Sequence, residues 1–259
     1  MTAALLDART ALLSAIRDHA VLGPLLEFVT REMTDDPGHD IDHALRVARW
    51  CIHIGRTIDV PWEEAAAAAL LHDIVNVPKD SPQRKRASEL SADRAGEVLT
   101  SLGWSTEARD AICAAIADHS YSRDVIPRSA LGCALQDADR LDALGALGIM
   151  RTVSTGVLLG GRYFDPDDPW AARRPMDDRR FTLDHFFTKL LKLPDTMRTD
   201  AGRKEAHTRA QTMRQFLHAL GEEIGVQLPQ TPLRAGAREP MESQEGPGNA
   251  HEDVSGDSP

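Results

Sequence analysis

A histidine directly followed by an aspartate, His72-Asp73, closes the alanine-rich stretch "AAAAALLHDIVNVPKD". Burying such a pair is costly unless something offsets the lost hydration. A metal ion would do so; a salt-linked helix end is the plainer alternative. Successive side chains on a helix point about 100° apart. At a helix end, however, a long histidine and a short aspartate can converge on one ion.

Two more residues of ligand type lie on apolar helical faces elsewhere. His43, in "HDIDHALRVARW", sits beside the stripe formed by Ile41, Ala44, Leu45, Ala48, Cys51 and Ile52. Asp139, in "LQDADRLDALGALGI", is flanked by apolar residues. Without a metal, His43 would bond a backbone carbonyl and Asp139 would pair with Arg140 or another arginine. Asp142, three residues on from Asp139, could orient Arg140 or a water. Two imidazoles and two carboxylates make a mixed nitrogen and oxygen set. It suits manganese, magnesium, nickel, cobalt, iron or zinc, and not copper(I) or an iron–sulfur cluster.

The elements that must position these groups are helical throughout. Aromatic residues make up 5% of 259, while alanine and leucine abound, which favours helix. The periodicity predicts helices over about 2–33 with a break near Gly23-Pro24, from Ile41 onward, and from Pro61 to about Val75. Others are expected near 84–102, 106–119, 129–147, 182–193 and 200–224. "GRYFDPDDPWAARRPMDDRR", residues 161–180, has little periodicity, and a loop of that length is usually functional or disordered. From Val226 the chain turns proline-rich, with a net charge of −4. The expectation is a folded all-α domain over 1–225 and a disordered acidic tail over 226–259.

Composition narrows the function. A net charge of −10 argues against binding a nucleic acid polymer. No apolar run reaches the length of a membrane span, and the start "MTAALLDART" lacks a secretion signal. Cys51, Cys113 and Cys133 form no CxxC pair and read as core residues of a reducing compartment. The expected location is cytoplasmic.

Local positive charge follows the His-Asp pair in "KDSPQRKRAS". Basic residues oppose the dipole at a helix start, whereas an anion there would gain from free backbone N–H groups. Lys79 and Arg84, and less strongly Arg86, are therefore candidate phosphate ligands, with Ser88 as a cap or donor. His119 and Ser120 end a helix, where a histidine is also favoured on electrostatic grounds alone. His185, Lys189 and Lys192 share a helical stripe that is either a solvent face or a lid over phosphates. Arg162, Arg173 and Arg174 could reach in from the long loop, unless its aspartates pair with them.

The order His43, His72-Asp73, Asp139 on successive helices resembles the signature of the HD-domain metal-dependent phosphohydrolases. The segments "AALLHDIVNVPKDSPQRKRASELSA", "QDADRLDALGALGIMRT" and "LDHFFTKLLKLPDTMRTDAGRKEAHTRAQTM" extend the likeness over roughly residues 39–216, to a bacterial, nucleotide-acting or uncharacterised subgroup. The resemblance implies an all-helical bundle with a divalent ion held by His43, His72, Asp73 and Asp139. It also implies hydrolysis of a phosphoester or phosphoanhydride in a small phosphorylated molecule, most simply a nucleotide. Several relatives place a glutamate one turn after the His-Asp pair; here Asn76 stands there. Either metal-activated hydroxide then attacks unaided or Asp73, Asp80, His119 or Asp142 assists it, with Lys79, Arg84, Arg86 and Lys189 on the substrate. Two rival readings are a di-iron oxygenase, with His119 and Asp142 as the spare ligands, and a non-catalytic nucleotide-binding module.

Overall fold

In the computed structural model the described residues are 3–33, 40–77, 81, 83, 86–120, 123 and 125–229, with only the backbone described for 3–7. They form helices α1 (Ala3–Arg17), α2 (Leu22–Glu32), α3 (Ile41–Gly55), α4 (Trp62–Leu71), α5 (Ala87–Ser101) and α6 (Thr106–Asp118). These are followed by α7 (Ala130–Asp142), α8 (Gly145–Leu158), α9 (Asp184–Thr188), a 3-10 segment Leu190–Thr196, and α10 (Asp200–Glu223). Among the described residues the only β-type pairing is one isolated bridge, Arg162 with Phe181. The all-α expectation is met.

Helix α4 is the hub. Glu63 and Glu64 favour its N-terminal dipole end. Ala65 through Leu71 are all 0% exposed, so the helix is buried on every side. Five successive alanines carry almost no side-chain bulk, which lets α2, α3, α6 and α7 close around it. A helix with bulkier flanks could not be packed from so many directions. Helices α5 and α6 form an antiparallel layer on one side, and α10 lies along α7, α8 and the 3-10 segment.

Several boundaries differ from the sequence expectation. The first break falls at residues 18–21 and not at Gly23-Pro24, which lie inside α2. Pro24 is tolerated because it occupies the first turn, where a backbone N–H has no intrahelical acceptor. Gly23 is needed for close approach, since a Cβ there would meet the Arg17 carbonyl at 2.5 Å. Helix α4 stops at Leu71 rather than near Val75. The turn beyond it is held from afar: the Val75 N–H donates to Ser91 Oγ of α5 at 3.2 Å. Helix α7 ends at Asp142, and α8 starts at Gly145, whose φ of +74° permits the corner.

The long 161–180 segment is tied internally. Asp168 accepts from the backbone N–H groups of Ala172, Arg173 and Arg174. Beyond α10, Val226 meets this segment, with Trp170 Nε1 donating to the Val226 carbonyl at 2.7 Å. From 230 on, the expected acidic tail lies outside the described residues. No single helix among them is long and apolar enough to cross a membrane. The three cysteines are free thiols, and Cys51 is buried.

Candidate metal centre

The ends of two helices and the face of a third bring the candidate ligands together. His43 is in the first turn of α3, where the N-cap Asp40 accepts its backbone N–H at 2.8 Å. His72 is the C-cap of α4, and Asp73 is the next residue along the turn. Asp139 faces them from the last turns of α7. His43 Nε2 lies 3.2 Å from His72 Nε2. Asp139 Oδ1 is 3.7 Å from the first of these nitrogens and 3.8 Å from the second. Asp73 Oδ2 is 3.6 Å from His72 Nε2. Ligand atoms of His43, His72 and Asp73 all fall within 4.8 Å of one another.

The tautomers follow from the partners. His72 Nδ1 donates to the Ala69 carbonyl at 2.7 Å, because a carbonyl can only accept. His43 Nδ1 donates in the same way to Asp142 Oδ2 at 2.8 Å. Both Nε2 atoms therefore carry lone pairs, and these point at each other across 3.2 Å. Buried lone pairs so placed repel unless a cation lies between them. Two nitrogens bound to one ion at about 2.1 Å stand roughly 3.0–3.4 Å apart, which matches. Burial also lowers the pKa of His43, as does the neighbouring His72, against the pull of Asp142. That keeps the imidazole neutral and able to ligate. The residues present fit a divalent ion.

His119 joins this group. It caps α6, is buried, and donates from Nδ1 to the Ile116 carbonyl at 2.6 Å. Its Nε2 lies 3.7 Å from Asp73 Oδ1, and its ring meets that of His72 edge-on. Burial lowers its pKa, and His72 adds to the effect. Asp73 thus has one oxygen toward each of two histidines.

Asp142 plays a part that its sequence position does not suggest. Arg140, its expected partner, donates from Nη1 to the Thr196 carbonyl at 2.7 Å. Asp142 accepts from His43, from Arg46 Nε at 2.8 Å and Nη2 at 3.1 Å, and closely from Arg151 Nη1. Arg46 and Arg151 carry no obvious motif. A signal was nonetheless available: His43 and Arg46 are spaced i, i+3 on α3, as Asp139 and Asp142 are on α7, so two facing pairs could form.

Among the remaining candidates, Lys189 follows α9 within electrostatic range of Asp139, Arg140, Arg151 and Asp178. Burial lowers its pKa, although Asp139 opposes this. It is parted from the proposed stripe, because the helix breaks at Lys189 itself. Lys192 is exposed, and His185 is hydrogen-bonded to Asp178 at 3.0 Å. Arg86 is exposed at the start of α5, 3.4 Å from Glu89. Ser88 donates to the Ala117 carbonyl and so ties α5 to the end of α6. Arg174 is held by two bonds to Asp184 and packs over Phe181, while Arg173 donates to the Asp167 carbonyl. These arginines brace the loop. Asn76 is exposed beyond the end of α4, so a position "one turn on" has no helical meaning here. Lys79, Asp80 and Arg84 lie outside the described residues.

Residues 40–144 match the family model for the HD domain. The chain is 34% identical over 198 residues to the uncharacterised protein YpgQ of Bacillus subtilis, covering 74% of this chain and 88% of that protein. The crystal structure of YpgQ in complex with ADP superposes with a TM-score of 0.62 at 30% identity, covering 80% of this chain and 98% of that one. An HD-superfamily hydrolase from Bacillus thuringiensis superposes with a TM-score of 0.60 at 30% identity, over 83% of this chain and all (100%) of the other.

Proposed function

The chain belongs to the HD-domain hydrolase superfamily, and on that premise we propose that it is a divalent-metal-dependent phosphohydrolase acting on a nucleotide. One observation carries the reading: two buried imidazoles, each donating from Nδ1 elsewhere, bring their Nε2 atoms within 3.2 Å of each other, with carboxylates beside them. His43, His72, Asp73 and Asp139 hold the ion. Once bound, a divalent ion polarises phosphoryl oxygens and acidifies water.

This chain's own residues supply the rest. His119 is neutral, and its Nε2 lone pair takes the proton of the attacking water. The Ile116 carbonyl, bonded to Nδ1, keeps that imidazole aimed at the centre, and Asp73, between His72 and His119, stabilises it once it is charged. The Lys189 ammonium lies on the Asp139 side and offsets the charge of the incoming phosphate. Lys79, Arg84 and Arg86 bind the remaining phosphates, and the proton taken by His119 passes by way of Asp80 to the leaving group. The ADP bound to YpgQ supports a nucleoside phosphate as the substrate class.

The test is hydrolysis of nucleoside mono-, di- and triphosphates with manganese, magnesium, nickel or cobalt, with the products identified. Turnover that needs a metal and is lost in His72→Ala is the expected result. Two irons per chain with oxygen uptake would overturn it in favour of an oxygenase. Tight nucleotide binding without turnover under any ion would overturn it in favour of a non-catalytic module.

A further inference from the structure

The three histidines of the centre are oriented in two different ways. His72 and His119 each donate from Nδ1 to the carbonyl three residues earlier, at 2.7 Å and 2.6 Å. Both are C-caps, and the last carbonyls of a helix lack intrahelical partners and so are free to accept. His43 has no such recourse. It stands at the N-terminal end of α3, where the corresponding carbonyl, that of Asp40, already takes the Ala44 N–H at 3.1 Å. The Asp40 side chain is likewise committed, to the His43 backbone. An acceptor for His43 Nδ1 must come from another element.

We propose that Asp142 is that element's contribution: a positioning residue that locks His43 with Nδ1 protonated, so that Nε2 faces the ion. The inference rests on the metal reading above. Asp142 is suited to the task because its oxygens are occupied by Arg46, Arg151 and His43, and it is buried. It can neither swing into the centre as a ligand nor release the ring. A negative charge behind an imidazole also strengthens the nitrogen on its far side.

The surroundings make the alternative concrete. Arg151 Nη1 lies 3.1 Å from His43 Nδ1, and a guanidinium can only donate. With the Asp142 carboxylate gone, Nδ1 would accept from Arg151, the ring proton would move to Nε2, and the lone pair needed by the ion would be lost. Asp142 therefore keeps Arg151 from capping the wrong nitrogen.

The experiment is two-bond proton–nitrogen NMR of the imidazoles in metal-free protein, alongside titration with manganese and cobalt. Wild type should show His43 protonated at Nδ1. Asp142→Ala should show it protonated at Nε2, with metal affinity lower by about 10–100-fold, the usual cost of losing an outer partner. Asp142→Ala with Arg151→Met, which removes the competing donor, should recover part of that affinity. Arg46→Met alters only a partly exposed arm of the network and should weaken binding by less than Asp142→Ala. A cobalt spectrum that shifts in Asp142→Ala, while circular dichroism of the metal-free protein keeps its helix content, separates positioning from general unfolding. If wild type binds metal and Asp142→Ala keeps both the tautomer and the affinity, the inference fails while the metal reading stands. If wild type binds no divalent ion, both fail.

Discussion

Asp137 and Asp142 lie on the same helix, both buried and both ringed by donors, yet they serve different halves of the molecule. Asp137 accepts the backbone N–H groups of Arg198 and Thr199, each at 2.8 Å, and the Thr199 hydroxyl at 2.7 Å. It fastens the start of α10. Asp142 is met by two guanidinium groups and an imidazole, and serves the centre. Burial pushes the Asp137 carboxyl up, and its neutral donors, with the charge of Arg140 after them, only partly oppose this. Burial pushes Asp142 the same way, but the bonds from His43 and Arg46 and the charge of Arg151 hold it far below the usual carboxylate range. The charge of the partners, more than depth, decides the ionisation of a buried acid.

The comparison can be broken in several ways. His72→Ala should reduce metal affinity and turnover by about 100-fold or more, beyond the cost of losing an outer partner. Circular dichroism should report unchanged helix content, and a collapsed fold would blur the division between the two sides. Asp137→Ala should do the reverse. It should cost about 2–4 kcal/mol in denaturant melts, because buried N–H groups lose their acceptor. Metal affinity, followed by titration, should barely move.

Gly202→Ala presses on the same cradle, since its Cβ would meet Asp137 Oδ2 at 2.4 Å. A loss of about 1–3 kcal/mol is expected from overpacking, read in the same melts. Acidification tests the other side. Burial lowers the pKa of His43 and His119, so below about 6.5 the unfolded chain takes up protons that the folded one refuses. The stability of metal-free protein should therefore fall as the pH drops from 7.5 to 5.5, and a melting temperature that rises would contradict the assignment. Arg86→Ala, at an exposed pair with Glu89, should change stability by less than about 0.5 kcal/mol.

The helical class and the four-residue cluster were legible because both rest on local pattern. Apolar periodicity marked α3, α4 and α7, and ligand-type residues stood out against it. What escaped depended on contacts distant in sequence. Nothing near Ile74 and Val75 announces that α4 ends at Leu71, because the turn is fixed by Ser91 on the next helix. Asp142 looked like a neighbour of Arg140, while its partners His43 and Arg46 lie 99 and 96 residues away. For Arg174 and His185 the sequence left phosphate contact and other roles open, and their partners, Asp184 of α9 and Asp178 of the loop, show them engaged within the protein.

Ala65 to Ala69 are enclosed on all flanks, and a side chain that stops at Cβ has no rotamer with which to absorb a displacement. A nudge from any neighbouring helix is thus transmitted undamped to His72 and Asp73. Change along this rod must come as matched pairs, with each added methyl group answered by one removed opposite.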